Sequence, residues 1–329
     1  MAGRGTRVRP HSHVTPKPLI PVLGASMVER IVDTFTELYP DRLEEGVFIL
    51  GQDFPQEINE ELERICAEYG IEARFGRQNE KLGTAHAVYC AGELLEGEVI
   101  TVFADTLFSM DEAVDFEEYD GIAWVKRVDD PSRFGVVLRE DGKITDFVEK
   151  PDEPISNEAV IGIYYIREAG VLKEEIEYLL ENEVVGKGGE YQLTDAMDRM
   201  LKRGKVFTTA GVNEWLDCGT IPALMNSTRT YLEKEGRRAE EAEVTDSVIR
   251  EPVYLGPGVE VEDSVVGPYV SLEEGASVSG SVLTNSIVFE EGTVEGAVLE
   301  DSLVGRHGRV SERPAVVNVG DHSVLGPRE

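Results

Sequence analysis

Gly3-Arg4-Gly5-Thr6-Arg7, followed by Pro16-Lys17-Pro18, places glycines and cations close together near the start of the chain. Glycines let backbone N–H groups approach a polyphosphate, and Arg7 and Lys17 put positive charge where a leaving pyrophosphate gathers negative charge. A glycine-rich pentapeptide alone is as readily a plain turn; the Pro-Lys-Pro makes the pattern specific. A second group is Gln78-Asn79-Glu80-Lys81-Leu82-Gly83-Thr84-Ala85-His86-Ala87. The Gln78 carboxamide offers one donor and one acceptor, which suits the adjacent N–H and C=O of a pyrimidine edge, while Gly83 admits the base close to the backbone. Gly83-Thr84 also reads as a helix start. His86 has no metal-ligand spacing around it and is expected to be a packed or solvated helix residue.

Two acids follow apolar runs: Asp105 after Val102-Phe103-Ala104, and Asp217 within Trp215-Leu216-Asp217-Cys218-Gly219-Thr220. An aspartate directly after such a run lies at the carboxyl edge of a sheet, where α/β folds bind ligands. Mg²⁺ is held by one or two carboxylates together with substrate phosphates, so this pair suffices. A sugar phosphate would suit a fourth set: Phe134-Gly135-Val136-Val137, Glu149-Lys150-Pro151, Val160-Ile161-Gly162-Ile163-Tyr164 and Gly189-Glu190-Tyr191-Gln192-Leu193-Thr194-Asp195. Carboxylates accept from hydroxyls, a lysine pairs with phosphate, and an apolar floor carries the ring.

The elements that must position these groups alternate. Strands are expected near 46–50, 99–103, 121–125, 134–138 and 159–165, and amphipathic helices near 26–38, 57–69, 168–180 and 194–203. Such alternation predicts an α/β sandwich with a mostly parallel sheet. After Gly236 and an acidic link the pattern changes. Apolar residues recur every six, at Val253, Val259, Val265, then Val270, Ala276, Val282, Val288, Val294, then Val298, Val304, Val310, Val316. That period predicts a hexapeptide β-helix of roughly four coils of about 18 residues, with the two register shifts, 265 to 270 and 294 to 298, at corners or loops. The boundaries are therefore 1–236 and 237–329.

The chain carries 64 acidic and 32 basic residues, a formal net charge of −32. Nucleic acid and anionic membranes are poor partners for that surface, which is what selection for high salt produces. The acidic runs are expected to be solvated faces. No apolar run reaches membrane-spanning length, and the three scattered cysteines indicate neither a disulfide framework nor a zinc knuckle, so a cytoplasmic setting is expected.

Taken in order, the motifs of residues 1–225 resemble the sugar-1-phosphate nucleotidyltransferase family, particularly its glucose-1-phosphate thymidylyltransferase-like members, and the tail resembles the left-handed β-helix that many members carry. The resemblance implies a Rossmann-like, GT-A-like domain with a mostly parallel mixed sheet. It implies that Gly3, Gly5 and Thr6 cradle the nucleotide phosphates, with Arg7 and Lys17 stabilising the transferring and leaving groups. Gln78, Gly83 and Thr84 would hold the base, Asp105 and Asp217 Mg²⁺, and Lys150 the sugar phosphate. Gly135, Glu149, Val160, Tyr164, Glu190 and Trp215 would line the sugar pocket. The implied partners are dTTP or UTP and a sugar 1-phosphate, with a homo-oligomer expected; a catalytically silent, nucleotide-sugar-binding homologue and a β-helix acyltransferase are the readings of other classes. Three departures stand out. The family's apolar first strand is absent before Gly3, so Met1 is expected to be an internal methionine of a longer natural protein. Ala104 stands where glycine is commoner, and Ile161 where many thymidylyltransferases have a small polar residue.

Overall fold

The computed structural model describes residues 5–12, 15–40, 42–52, 54–110 and 112–311. Gly3, Val316 and His322 lie outside them. The chain divides into two units, one of residues 1–20 and 25–227, the other of residues 21–24 and 228–329.

In the first part of the chain, short strands β1 (Pro21–Val22) and β2 (Ala25–Ser26) precede α1 (Met27–Leu38), β3 (Glu45–Gly51), α2 (Glu57–Glu68), β4 (Glu72–Gln78) and α3 (Thr84–Tyr89). Then come β5 (Val99–Val102), β6 (Thr106–Ser109), β7 (Gly121–Arg127), β8 (Gly135–Glu140), β9 (Lys143–Glu149) and β10 (Glu158–Ile166). The set closes with α4 (Ala169–Glu181), α5 (Leu193–Lys202), β11 (Phe207–Gly211), β12 (Glu214–Asp217) and α6 (Ile221–Glu235). The sequence explains several ends locally. Ser26 and Glu29 form a capping box at α1, each side chain accepting from the other's backbone N–H.

A six-stranded sheet runs β5-β10-β7-β11-β9-β8. It is mixed, but the expectation that parallel pairing predominates is corrected: within it only β7–β11 is parallel. Parallel neighbours need a crossover of a dozen or more residues, and the chain from β7 to β10 carries no helix, so those strands run up and down. A true β-α-β crossover joins β3, α2 and β4, which pair in parallel as a separate two-stranded sheet. Among the described residues, the outer edges of β3 and β5 pair with no strand.

Both faces of the large sheet are covered. Ala123, Val125, Val160 and Tyr164 pack with α3, α4 and α5 residues on one side, while Ile122, Trp124, Ile161 and Ile163 pack with Phe35 and Phe108 on the other. Burial on both faces is why β7 and β10 read as continuous apolar runs. Between Val160 and Tyr164 the register of β10 slips at Gly162, whose φ is +82° and where a Cβ would come within 2.7 Å of Phe103. Val160 and Tyr164 lie on one face and Ile161 and Ile163 on the other, as strand alternation places them.

The second unit winds through β13 (Glu243–Thr245), β14 (Val248–Ile249), β15 (Val253–Leu255), β16 (Glu260–Glu262), β17 (Val265–Val266), β18 (Val270–Leu272) and β19 (Ser277–Ser279). It continues through β20 (Val282–Thr284), β21 (Ser286–Val288), β22 (Thr293–Glu295), β23 (Val298–Glu300), β24 (Leu303–Val304) and β25 (Arg309–Ser311). Every third strand stacks in parallel on its predecessor, giving three sheets around an apolar axis, the β-helix expected.

Two details differ from a strict six-residue period. Val253 pairs with Val270, 17 residues on, and Val270 with Ser286, 16 on, so the coils are shorter than three full hexapeptides. The missing residues are taken out at the corners, including 265–270 and 294–298, as expected. The phase therefore shifts on one side: Val266 and Leu283 point inward, while Val282 and Val298 are 41% and 74% exposed on the outer face. Left-handed residues recur at the corners in stacked columns. One column is Asp246, Asp263, Gly280 and Gly296 with φ of 46°, 49°, 56° and 63°, where Asp and Gly are the residue types that tolerate this region. Beside it the Ser264 hydroxyl donates to Glu262 O at 2.7 Å and accepts from Ser281 N of the next coil at 3.0 Å. Ser281 repeats the pattern toward Ala297 N at 3.1 Å, where the serine column ends.

The division between units falls inside α6, earlier than Gly236, because the last part of that helix packs on the coils: Arg229 lies over the Tyr269 ring and Glu233 accepts from the Tyr269 hydroxyl at 3.0 Å. The turn at Leu23-Gly24 is held by the buried Glu273, whose carboxylate accepts from Gly24 N at 2.8 Å and from Ser271 Oγ at 2.7 Å. Replacing Glu273 with Ala is expected to cost about 1–3 kcal/mol by stranding buried donors. Urea denaturation should show a lower midpoint with unchanged slope.

Candidate active site

Lys17 opens a short 3-10 turn between two prolines and is buried. Its ammonium donates to Asp105 O at 2.9 Å and lies 3.5 Å from Asp105 Oδ2, leaving donor capacity for an incoming anion. Gly5, φ +69°, sits directly on it: a Cβ there would come within 2.6 Å of Lys17 Cβ. The glycine is thus required for the fit of the loop to the lysine as well as for any approach to phosphate. Ser12 Oγ donates to Gly5 O at 2.7 Å and pins the loop from the other side. Thr6 and Arg7 follow in a 3-10 turn, and Arg7 is exposed without an ion-pair partner among the described residues.

Asp105 follows β5 and Asp217 ends β12. In the two-stranded ribbon of β6 and β12, Asp217 faces Thr106, the residue after Asp105, so the two exposed carboxylates come to one end of one ribbon. Asp217 Oδ1 accepts from Gly219 N at 2.6 Å, which fixes the carboxylate and leaves its other oxygen available. Cys218, fully buried beside them, feels the charges of Lys17, Asp217 and Asp105; burial is the largest effect and pushes its thiol up to about 12. The thiol therefore stays protonated at neutral pH and is no nucleophile. In native protein at pH 8, Cys218 is expected to resist alkylation and to label fully after denaturation, read by peptide mass spectrometry.

Gln78 ends β4, and Gly83, φ +122°, caps α3. A Cβ at Gly83 would lie 2.4 Å from Tyr191 O, so the loop can approach the 190–193 segment only with glycine here. Tyr191 N donates to Leu82 O at 2.8 Å and Ala85 N to Tyr191 O at 2.9 Å. Thr84 Oγ1 accepts from Leu193 N at 2.9 Å and donates to Gln192 Oε1 at 3.3 Å. The Thr84 hydroxyl, expected to touch nucleotide, also joins this loop to the start of α5. Glu190 is exposed, with its Cβ 3.0 Å from where a Gly83 side chain would begin.

The third cluster lies where α5 meets the β8–β9 hairpin. Gly135 faces Glu149 in register, and a Cβ there would be 2.8 Å from Glu149 Oε2 and 3.0 Å from Val160 Cγ2. Glu149 accepts from Thr194 Oγ1 at 3.1 Å and pairs with Lys150 Nζ at 3.4 Å. Lys150 itself is exposed on a left-handed backbone, φ 43°, a strained setting for a lysine. Burial, then the charges of Glu149 and Asp198, push the Asp195 carboxyl above its ordinary range. Trp215 packs edge-on to Phe134, with ring centroids 5.0 Å apart, beside Gly135.

One expectation is corrected. Tyr164 is 2% exposed, packed against Phe103 in the core, so it supports the cluster from beneath and cannot offer its ring to a ligand. Ile161 faces the opposite core and has no part in a sugar pocket. Thr194 and Cys218 are additions; both stood inside quoted motifs, but nothing in their type distinguished them. Among the described residues no group of three or more His, Cys, Asp or Glu side chains is placed to hold a metal, and no helix is long and apolar enough to cross a membrane.

Residues 1–234 match the family model described as Nucleotidyl transferase. The chain is 30% identical over 260 residues to the bifunctional protein GlmU of Methanococcus maripaludis, covering 76% of this chain and 59% of that protein. It is 29% identical over 243 residues to the low-salt glycan biosynthesis nucleotidyltransferase Agl11 of Haloferax volcanii, covering 70% of this chain and 64% of the relative. To the UTP–glucose-1-phosphate uridylyltransferase AglF of the same organism it is 27% identical over 250 residues, covering 73% of this chain and 97% of the relative. A solved UDP-glucose pyrophosphorylase in complex with UDP-glucose has the same fold, with a TM-score of 0.58 at 24% identity over 71% of this chain and 97% of that one. A candidate glucose-1-phosphate thymidylyltransferase from Bacillus anthracis, in complex with a sucrose, gives 0.57 at 25% identity over 73% of this chain and 95% of that one.

Proposed function

The chain belongs to the nucleotidyl transferase family, and from that premise we propose that it joins a nucleoside triphosphate to a sugar 1-phosphate, releasing pyrophosphate. Glucose 1-phosphate with dTTP is the first pair in this reading, and UTP with glucose 1-phosphate or N-acetylglucosamine 1-phosphate the alternative. The observation that carries it is the buried Lys17 ammonium resting on Asp105, with Asp217 brought to the same end of its ribbon.

A phosphate oxygen of the sugar 1-phosphate attacks the α-phosphorus, forming a new P–O bond while the bond from that phosphorus to the bridging oxygen of the β-phosphate breaks. The electron pair leaves with pyrophosphate. No covalent enzyme intermediate is needed, so orientation and charge neutralisation are the chain's work. Lys17, its third N–H free, meets negative charge on the transferring phosphoryl, and Arg7 meets it on the leaving group. Gln78 and Gly83 hold the base; Glu149, ordered by Thr194, accepts from sugar hydroxyls, and Lys150 pairs with the sugar phosphate. Asp105 and Asp217 would hold Mg²⁺, two exposed carboxylates being what that ion takes beside substrate phosphates. When bound it supplies neutralisation of the phosphate oxygens. The β-helix is assigned a structural and self-associating role, in a cytoplasmic enzyme.

The test is pyrophosphate release by the full chain in Mg²⁺ and high salt, across dTTP, UTP, CTP, ATP and GTP against a panel of sugar 1-phosphates. Release that requires one triphosphate and one sugar phosphate supports the reading. Binding of nucleotide sugar with no release from any pair would replace it with a sensing role.

A further inference from the structure

The Gln78 carboxamide is already half spent inside the protein. Its nitrogen donates to Gly83 O at 3.2 Å, and a carbonyl oxygen can only accept, so the NH₂ end must face that way. The same nitrogen lies 3.1 Å from His86 Nδ1. With both hydrogens of the amide directed to these two atoms, Nδ1 must be an acceptor, and the ring proton sits on Nε2, which faces Cys90 Sγ at 3.8 Å. No donor among the described residues bonds Gln78 Oε1, and it is not among the sealed, unpartnered polar atoms of the interior. The side chain as a whole is 6% exposed, so a rotation to present the other end would strand the Gly83 carbonyl and His86 together.

We propose that His86 is a positioning residue that sets base specificity: by accepting from the Gln78 amide nitrogen it locks the carboxamide so that only its carbonyl oxygen is offered to a ligand. The amide then presents an acceptor alone, not the donor and acceptor pair expected from the sequence. A base must bring an N–H to that oxygen. Uracil and thymine do so at N3; cytosine places an acceptor there and is rejected by repulsion between lone pairs as well as by a missing hydrogen bond. This inference rests on the reading of Gln78 as the base contact. It also gives His86, on the first turn of α3, a task that its lack of metal-ligand spacing left open.

The test uses equilibrium binding of UTP, dTTP and CTP to the full chain by titration calorimetry, which needs no turnover. His86→Leu and His86→Ala both remove the acceptor, so that one misfolded variant leaves the other informative. His86→Asn keeps an acceptor oxygen near the position of Nδ1. The UTP-to-CTP affinity ratio is expected to fall about tenfold or more in His86→Leu and His86→Ala and to be restored in His86→Asn, a rescue that loss of packing alone would not give. Gln78→Leu separates the two readings. A ratio changed by Gln78→Leu but unmoved by both acceptor-free His86 variants overturns the role of His86 and leaves the base contact standing. A ratio unmoved by Gln78→Leu overturns both.

Discussion

Lys17→Met is expected to lower kcat for pyrophosphate release by about 10²–10³-fold while leaving nucleotide affinity within a few fold. The ammonium is buried and positioned by Asp105 O at 2.9 Å, so it is held in place before any substrate arrives. Its effect is therefore largest where negative charge develops, in the transition state. Methionine keeps the stem's volume beneath Gly5, whose Cα leaves no room for a bulkier or repositioned neighbour. Steady-state kinetics decide the matter: an increase in KM with kcat unchanged would show that Lys17 binds phosphate equally in the ground and transition states.

Asp217→Asn is the second large effect, expected to reduce kcat/KM by about 10²-fold or more and to shift the Mg²⁺ dependence to higher concentration. Asparagine can still accept from Gly219 N, the bond of 2.6 Å that orients the aspartate, so the ribbon and Cys218 should stay in place. What is lost is one negative charge facing Asp105. A magnesium titration of activity in both proteins provides the reading, with native resistance of Cys218 to alkylation as the control for folding. An unchanged Mg²⁺ midpoint would remove Asp217 from the cation site.

Much of this arrangement could be read from residue order. The apolar runs at β7 and β10 and the amphipathic α1, α2, α4 and α5 fall within a residue or two of their expected bounds, because each has one strong period and a buried face. The β9 strand was not legible: its exposed Lys143, Thr145 and Asp146 carry no apolar period, and it exists because β8 needs a partner. The ribbon that brings Asp105 and Asp217 together is likewise a pairing between distant segments, invisible in either segment alone. Tyr164 shares a face with the pocket residue Val160, and its burial against Phe103 is set by packing between distant segments that residue order alone does not show. The hydrogen bond from Gln78 to His86 spans only eight residues, yet its meaning depends on which end of an amide faces a carbonyl. In the β-helix the period was plain but its phase was not, since corners of uneven length decide which valine of a pair turns inward.

The stacked corners impose a quantum on the length of this domain. Because Asp246, Asp263, Gly280 and Gly296 lie one above another, as do the serines beside them, a whole coil can be gained or lost while every remaining corner still finds its counterpart. Half a coil cannot, for it would drop left-handed residues into the ladders and turn valines out of the axis. Change in this part of the chain is thus stepwise in units of a full turn, and point substitution does the finer tuning on the outer faces, where Val298 and its neighbours in the column meet solvent.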